Sequence, residues 1–229
     1  MSNTSFFKQS LIDNSGFWQA KPDAKYLALL TSGLISDVFC NTGVVTNNPA
    51  ILERVVLNLI YEFGSFRTFP KKVCFVGPAI GAITWAWSIA SNYCDSFNGT
   101  SAVVACPEKD STAEHGWKFR SFPTDCDAVV LCEDVVTTGS SLKGVLNTVI
   151  DVLEGQGSTS KILDTILCLV NRSGQSDLTL SLAYPKFKLV SCLVVQARTF
   201  SSLEEAQVVY PNAVEAIRPK QNWEVLVNG

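Results

Sequence analysis

The run Asp127-Ala-Val-Val-Leu-Cys-Glu-Asp-Val-Val-Thr-Thr-Gly-Ser-Ser-Leu142 passes from an apolar stretch into two adjacent acids, then a turn of small residues, then an amphipathic segment. Ala128 to Cys132 is short, rich in β-branched residues and bounded by turn formers, which predicts a strand buried on both faces. Glu133 and Asp134 are expected where that strand emerges at the carboxyl edge of a sheet, the usual place for ligands in an open α/β fold. Thr137, Thr138, Gly139, Ser140 and Ser141 offer consecutive backbone N–H groups and hydroxyls at a helix start, a cradle for phosphate. Carboxylates beside such a cradle suit a phosphorylated sugar whose hydroxyls are held by acids. The acid pair alone also fits an ordinary strand–turn–helix junction, so the reading rests on the whole run in register. No Gly-x-x-x-x-Gly-Lys-Ser/Thr loop occurs in the chain.

The composition sets the bounds around this stretch. A chain of 229 residues, 47% hydrophobic and 17% charged, can build one α/β domain, with room for a small accessory piece. No apolar run reaches the length of a membrane span. The start, Met1-Ser-Asn-Thr-Ser-Phe-Phe-Lys8, lacks the basic head and long apolar core of a signal peptide, so a cytoplasmic protein is expected. A formal net charge of -3 without a Lys/Arg cluster gives no reason to expect a nucleic-acid partner. Eight cysteines occur without a C-x-x-C spacing and beside a single histidine, which argues against a zinc site. Cys74, Cys132, Cys168 and Cys192 lie in apolar runs and are read as reduced core thiols.

Along the chain, residues 1–25 read as a polar lead-in, partly helical and anchored by Phe6, Phe7, Phe17 and Trp18. Two apolar runs around Thr31-Ser32-Gly33 predict a hairpin. Pro49 after Asn47-Asn48 opens a helix to about Phe63, and Gly64 to Lys72 is a linker. Val73–Val76 is a buried strand, Gly77-Pro-Ala-Ile-Gly81 a turn, and Ala82–Tyr93 a helix with Ile83, Trp87 and Ala90 on one face. A strand follows at Ser101–Ala105, then a long polar segment from Cys106 to Asp127. A connection of that length inside a compact domain is a lid or is disordered. After the central strand come a helix from Ser140 to about Leu153, strands at Ile162–Val170 and Leu189–Val195, and a capping box at Ser201-Ser-Leu-Glu-Glu205. Strands alternating with helices predict an α/β fold with a mostly parallel, twisted sheet flanked by helices.

The order of residues from Asp127 to Leu142 resembles the phosphoribosyl-pyrophosphate (PRPP) signature of the type I phosphoribosyltransferases. Within that family the chain looks most like the orotate phosphoribosyltransferases. Leu169-Val-Asn-Arg-Ser-Gly174 is similar to their Asp-Arg turn, and Leu30-Thr-Ser-Gly-Leu-Ile-Ser-Asp-Val-Phe-Cys-Asn41 to their amino-terminal Ser-Gly-x-x-Ser stretch. Glu-Lys and His-Gly elements before Lys118-Phe-Arg-Ser-Phe122 resemble their mobile hood loop. The likeness covers roughly residues 25 to 200.

The resemblance implies a division of labour. Glu133 and Asp134 would hold the ribose hydroxyls, and Thr137 to Ser141 the 5′-phosphate. Ala79, Ile80, Gly81 and Ala82 would receive the pyrophosphate through backbone amides. Lys109 would be the catalytic lysine and His115 a partner on the pyrophosphate. Arg172 would bind orotate, since a planar guanidinium makes two parallel charge-assisted bonds to a carboxylated ring. Phe39, Cys40 and Thr137 would complete the base pocket. Mg²⁺ would be held mainly by PRPP and water, and the enzyme would be a homodimer whose hood loops reach into the neighbour's site. The implied layout is a single domain: a hood and base-pocket element at about 1–48, a core at about 49–200 and an extension at about 201–229.

Departures from the family pattern keep other readings open. Gly81 and Thr31 stand where some members carry lysine, Ile35 where histidine is frequent, and Asn171 where aspartate is usual. Glu108, Asp110 and Glu114 make the hood segment acidic. A phosphoribosyltransferase for another nucleobase, or a PRPP-binding regulator without catalysis, stays open on the sequence.

Overall fold

A computed structural model of the chain describes residues 3–30, 32–64 and 70–228. Thr31, in the turn of the expected hairpin, and residues 65–69 of the expected linker lie outside the described residues. The elements, in order, are α1 (Asn3–Asp13), β1 (Phe17–Gln19), β2 (Tyr26–Leu29), β3 (Ile35–Ser36), β4 (Val38–Cys40), α2 (Gly43–Thr46) and α3 (Pro49–Gly64). β5 (Lys72–Val76), α4 (Ile83–Ser96), β6 (Ser101–Ala105), β7 (Glu108–Lys109) and β8 (Trp117–Lys118) follow. Then come β9 (Ala128–Val136), α5 (Ser140–Gly155), β10 (Lys161–Asn171), β11 (Asp177–Leu178) and β12 (Phe187–Val194). The chain closes through β13 (Thr199–Phe200), α6 (Leu203–Gln207), β14 (Glu215–Ile217) and α7 (Trp223–Asn228).

The core is a six-stranded sheet in the order β11-β12-β10-β9-β5-β6, with β9 next to its centre. Every pairing among β12, β10, β9, β5 and β6 is parallel, and the edge strand β11 runs antiparallel. Val129 to Cys132 are fully buried, because side chains from both faces of β9 enter a core. On one face Leu11 of α1, Val56 of α3 and Ile89 of α4 pack against the sheet; on the other, Leu142, Val145 and Val149 of α5 do so with Trp117. All eight cysteines are free thiols, as expected.

Two features depart from the sequence reading. β9 does not end at Cys132 but continues to Val136, because Val135 and Val136 pair with Val170 and Asn171 of β10. The acids therefore lie within the last residues of the strand. Of the face expected for α4, Ala90 is buried, but Ile83 is only half-buried and Trp87 is 62% exposed; Trp85, Ala86, Ile89 and Tyr93 face inward with Ala90. That stripe keeps helical spacing and brings Tyr93 into the core. It also gives the Trp85 indole N–H a buried acceptor, the Leu167 carbonyl at 3.1 Å.

Above the carboxyl edge sits a smaller sheet in the order β13-β3-β2-β14. The expected hairpin is its β2–β3 pair. Its flanking strands come from late in the chain: β13 pairs with β3, and β14 runs parallel to β2 with Ile217 opposite Ala28. The hood is thus built jointly by residues 26–36 and 199–217, and the boundary expected near residue 201 falls inside it. Ser202 caps α6 by accepting from the Glu205 N–H, as the capping box predicts. No helix among the described residues is long and apolar enough to cross a membrane.

Candidate active site

The site forms where β9 and β10 deliver their carboxyl ends beneath the hood. A cavity of about 730 Å³ opens there, with Asp134, Thr137, Arg172, Phe39, Cys40 and Gly81 among its walls. Residues expected to hold sugar, base and pyrophosphate, from four separate stretches, thus share one space.

The two acids have different surroundings. The Asp134 carboxylate faces the cavity and accepts a hydrogen bond from Thr42 Oγ1 at 2.8 Å. It lies so close to Gly81 that a Cβ there would stand 2.7 Å from Oδ2. Glycine at 81 is therefore a condition for this carboxylate's position. Glu133 turns to a smaller hollow shared with Thr137, Gly139, Ser140 and Ser141. Burial pushes its carboxyl well above the usual carboxylate range, the adjacent Asp134 charge adds to this, and the Lys109 ammonium acts in the opposite direction.

The turn expected to cradle phosphate leads directly into α5. Gly139 adopts a left-handed φ of 77° as the N-cap of α5, a conformation that costs other residues energy. No side chain caps this helix, so its first amides face outward beside the Ser140 and Ser141 hydroxyls. The turn from Gly77 to Ala82 is anchored by Ala79 N–H to the Pro107 carbonyl at 2.9 Å, with a cis Ala79–Ile80 peptide and Ile80 87% exposed.

Arg172 follows β10 and reaches under the hood. Its Nη2 donates to Ser36 Oγ at 2.8 Å and to the Val38 carbonyl at 3.0 Å. Its buried Nε has no partner among the described residues. Asn171 takes a structural part: its Oδ1 accepts from Ser173 N–H and Oγ, and its Nδ2 donates to the Gln175 carbonyl. This turn sets the direction in which Arg172 leaves the strand. Burial raises the neighbouring Cys40 thiol to about 11, so this side chain stands neutral beside the guanidinium.

The long segment after β6 forms a hairpin, β7–β8, docked on α5 of the same chain. Gly144 makes room for it, since a Cβ there would meet the His115 carbonyl and the Trp117 ring at 2.7 Å. Two of the three acids that made this segment unusual are matched within the hairpin: Glu108 pairs with Arg120 at 2.8 Å and Asp110 with Lys118 at 2.8 Å. Lys118 and two bonds from Thr112 hold the Asp110 carboxyl well below the usual range. Lys109 lies over the Trp117 ring, 5.7 Å from its centre. Neither it nor His115 lines the main cavity. His115 Nε2 is 3.0 Å from Asp151 of α5, away from the acid pair. Glu114, His115 and Asp151 bring ligand atoms within 4.8 Å of one another, with the two acids exposed and His115 half-buried.

Several contributors escaped the sequence reading. Thr42 sets Asp134, Ser36 sets Arg172, and Arg218 and Lys220 line the cavity from the far end of the chain. Ser36 closes the Ser-Gly-x-x-Ser motif and Thr42 directly follows the stretch that ends at Asn41, yet their roles depend on partners 136 and 92 positions away.

The comparisons with known proteins agree with this geometry. The crystal structure of an orotate phosphoribosyltransferase from Aeropyrum pernix superposes with a TM-score of 0.55 at 21% identity, over 82% of this chain and 93% of that one. The chain thus has the phosphoribosyltransferase fold. An orotate phosphoribosyltransferase of Heliobacterium modesticaldum is 32% identical over 150 residues, which are 65% of this chain and 69% of the relative. One from Deinococcus radiodurans is 30% identical over 153 residues, 65% of this chain and 71% of the relative. No protein-family model matches the chain. By these relatives the chain belongs to the orotate phosphoribosyltransferase family.

Proposed function

We propose that this protein transfers the 5-phosphoribosyl group of PRPP to orotate, giving orotidine 5′-monophosphate and pyrophosphate, as part of pyrimidine nucleotide synthesis. The observation that carries the reading is the convergence of Asp134, Thr137 and Arg172 on one cavity. A sugar held by the first two places its C1′ toward a base oriented by the third.

The orotate ring nitrogen gives up its proton to solvent and attacks C1′, and the C1′–oxygen bond breaks with its electron pair leaving on pyrophosphate. Positive charge develops on the ribose ring in between. Asp134, fixed by Thr42, holds a ribose hydroxyl and stabilises that charge, with Glu133 behind it. The amides and hydroxyls of Thr137 to Ser141 anchor the 5′-phosphate, which fixes the sugar's orientation. Arg172 presents a guanidinium to the orotate carboxylate. The backbone N–H groups of Ile80 and Gly81 receive the pyrophosphate, those of Ala79 and Ala82 being donated to the Pro107 and Pro78 carbonyls, and Lys109 offsets its growing charge once the hairpin and cavity close together. For His115 to reach the pyrophosphate, its pairing with Asp151 has to open.

A Mg²⁺ ion chelated by PRPP oxygens fits this donor set. The ion would be held mainly by PRPP oxygens and water, with Asp134 as the carboxylate on the cavity wall that faces it. It would supply charge neutralisation on the leaving group. Assembly as a cytoplasmic homodimer belongs to the same proposal, and light scattering of the purified chain tests the dimer.

The activity is tested by following orotate absorbance with PRPP and Mg²⁺. Consumption of orotate is expected. Turnover with a different base alone would sink the specificity, and PRPP binding without turnover of any base would leave a regulator. Two of the three acids that suggested a regulator, Glu108 and Asp110, pair with Arg120 and Lys118 inside the hairpin, and Lys109 has no ion-pair partner among the described residues.

A further inference from the structure

Once Arg172 is committed to Ser36, Val38 and the base wall, the pyrophosphate end of the cavity lacks a cation from the core. The turn at Gly81 offers only backbone, and the Lys109 side chain lies over Trp117, outside the cavity. A polyanionic leaving group next to the Asp134 carboxylate therefore meets no cationic side chain from the core on this wall, and before the hairpin closes Lys109 supplies none.

The late segment brings two cations to this cavity. β14 runs parallel to β2, and its last residue, Ile217, pairs with Ala28, so Arg218 leaves the sheet beside Leu29 and Leu30 of the cavity wall. The Arg218 carbonyl accepts from Gln221 and Asn222 N–H, both at 3.1 Å, which curls the chain and brings Lys220 to the same cavity. Pro219 between them is buried, so the turn is anchored while its two charged side chains stay exposed. Trp223 at the start of α7 packs its ring 6.2 Å from Phe39 of the base wall, tying the segment to the site a second time. Neither Arg218 nor Lys220 enters an ion pair among the described residues.

We infer that Arg218 and Lys220 are binding residues for the pyrophosphate group of PRPP, completing from the hood the pocket that Gly81 opens from the core. The inference rests on the phosphoribosyltransferase reading for its substrate but not for its test. Isothermal titration with inorganic pyrophosphate and Mg²⁺, without turnover, compares the wild-type chain with the double variant Arg218→Gln/Lys220→Gln. Each lost charge-assisted bond predicts roughly a tenfold weaker affinity, so a ten- to hundredfold rise in Kd is expected, with a matching rise in KM for PRPP. The KM for orotate should stay within about twofold, since the base is held elsewhere. The swap Arg218→Lys/Lys220→Arg should recover most of the affinity, which separates charge from fold, and a thermal melt checks that each variant is folded. Unchanged pyrophosphate affinity in a folded double variant overturns the inference, as does a loss confined to orotate. Wild-type chain that binds pyrophosphate through these residues but leaves orotate unconverted keeps the inference and sinks the orotate reading. Wild-type chain that does not bind pyrophosphate overturns it whatever its turnover.

Discussion

Two cavities meet at Thr137, and they are built on opposite plans. The smaller one, beside Glu133, is made almost wholly of residues 133–142, a single strand–turn–helix passage. The larger one takes walls from β2, α2, the turn after β5, the ends of β9 and β10, and residues 218–221. A phosphate cradle needs only amides in a row, which one local conformation supplies. A base and a leaving group have to be gripped from several sides, and only tertiary structure brings those sides together. Substitutions should therefore act differently on the two.

The largest effect is expected at Lys109, which belongs to neither cavity until the hairpin closes. Lys109→Ala should lower kcat by roughly 10²- to 10³-fold, the scale of one lost electrostatic contact in a transition state, while PRPP binding changes far less. Equal losses in kcat and in PRPP affinity, by stopped-flow and titration, would contradict the role.

Gly81→Ala comes next and probes the large cavity through packing. The new methyl would stand 2.7 Å from the Asp134 carboxylate, so the acid or the turn has to move. A fall in kcat/KM of roughly tenfold or more, with about 1–3 kcal/mol lost in stability, is expected from steady-state kinetics and denaturant melts. The parallel change Thr42→Val removes only the Asp134 hydrogen bond and should cost less.

Arg172→Lys keeps the charge and removes the fork. The KM for orotate should rise about tenfold while the KM for PRPP moves little. A change in both would mean that the two substrates are not held at separate ends of the cavity.

The smallest effect is a pH signature on the cradle side. The Glu133 carboxyl is raised, so the folded chain holds a proton that the unfolded chain has released. Its contribution to stability is fully present below the ordinary glutamate value and is lost as pH rises through the folded value. Glu133→Gln removes that loss. Its melting temperature should match wild type near about pH 4 and exceed it near about pH 8. A difference that does not vary with pH would place the raised carboxyl elsewhere.

How far the molecule could be read in advance follows the same divide. Ser101–Ala105 matches β6 residue for residue, and the cradle opens α5 at Ser140 as expected, because a buried strand and a glycine turn are written in consecutive residues. The face of α4 was misjudged because its tryptophans alternate in role, Trp85 being buried and Trp87 exposed. Hydrophobicity alone does not tell which of them meets the sheet. The acids of the hairpin looked like a departure from the family until Arg120 and Lys118 were found across from them, a pairing that needs the register of β7 with β8. Arg218 and Lys220 reach the cavity through a parallel pairing with a strand nearly two hundred positions earlier, which their own neighbours in the chain do not dictate.

That pairing also orders events in time. The parallel core is complete in sequence at Val194, and during synthesis it can collapse around β9 while later residues are still being added. The hood cannot close until Glu215–Ile217 has emerged and found Tyr26–Ala28, the kind of long-range contact that forms late. A nascent chain can thus hold a finished phosphate cradle while its base pocket still lacks a wall, and it becomes able to grip both substrates only when the late strand docks.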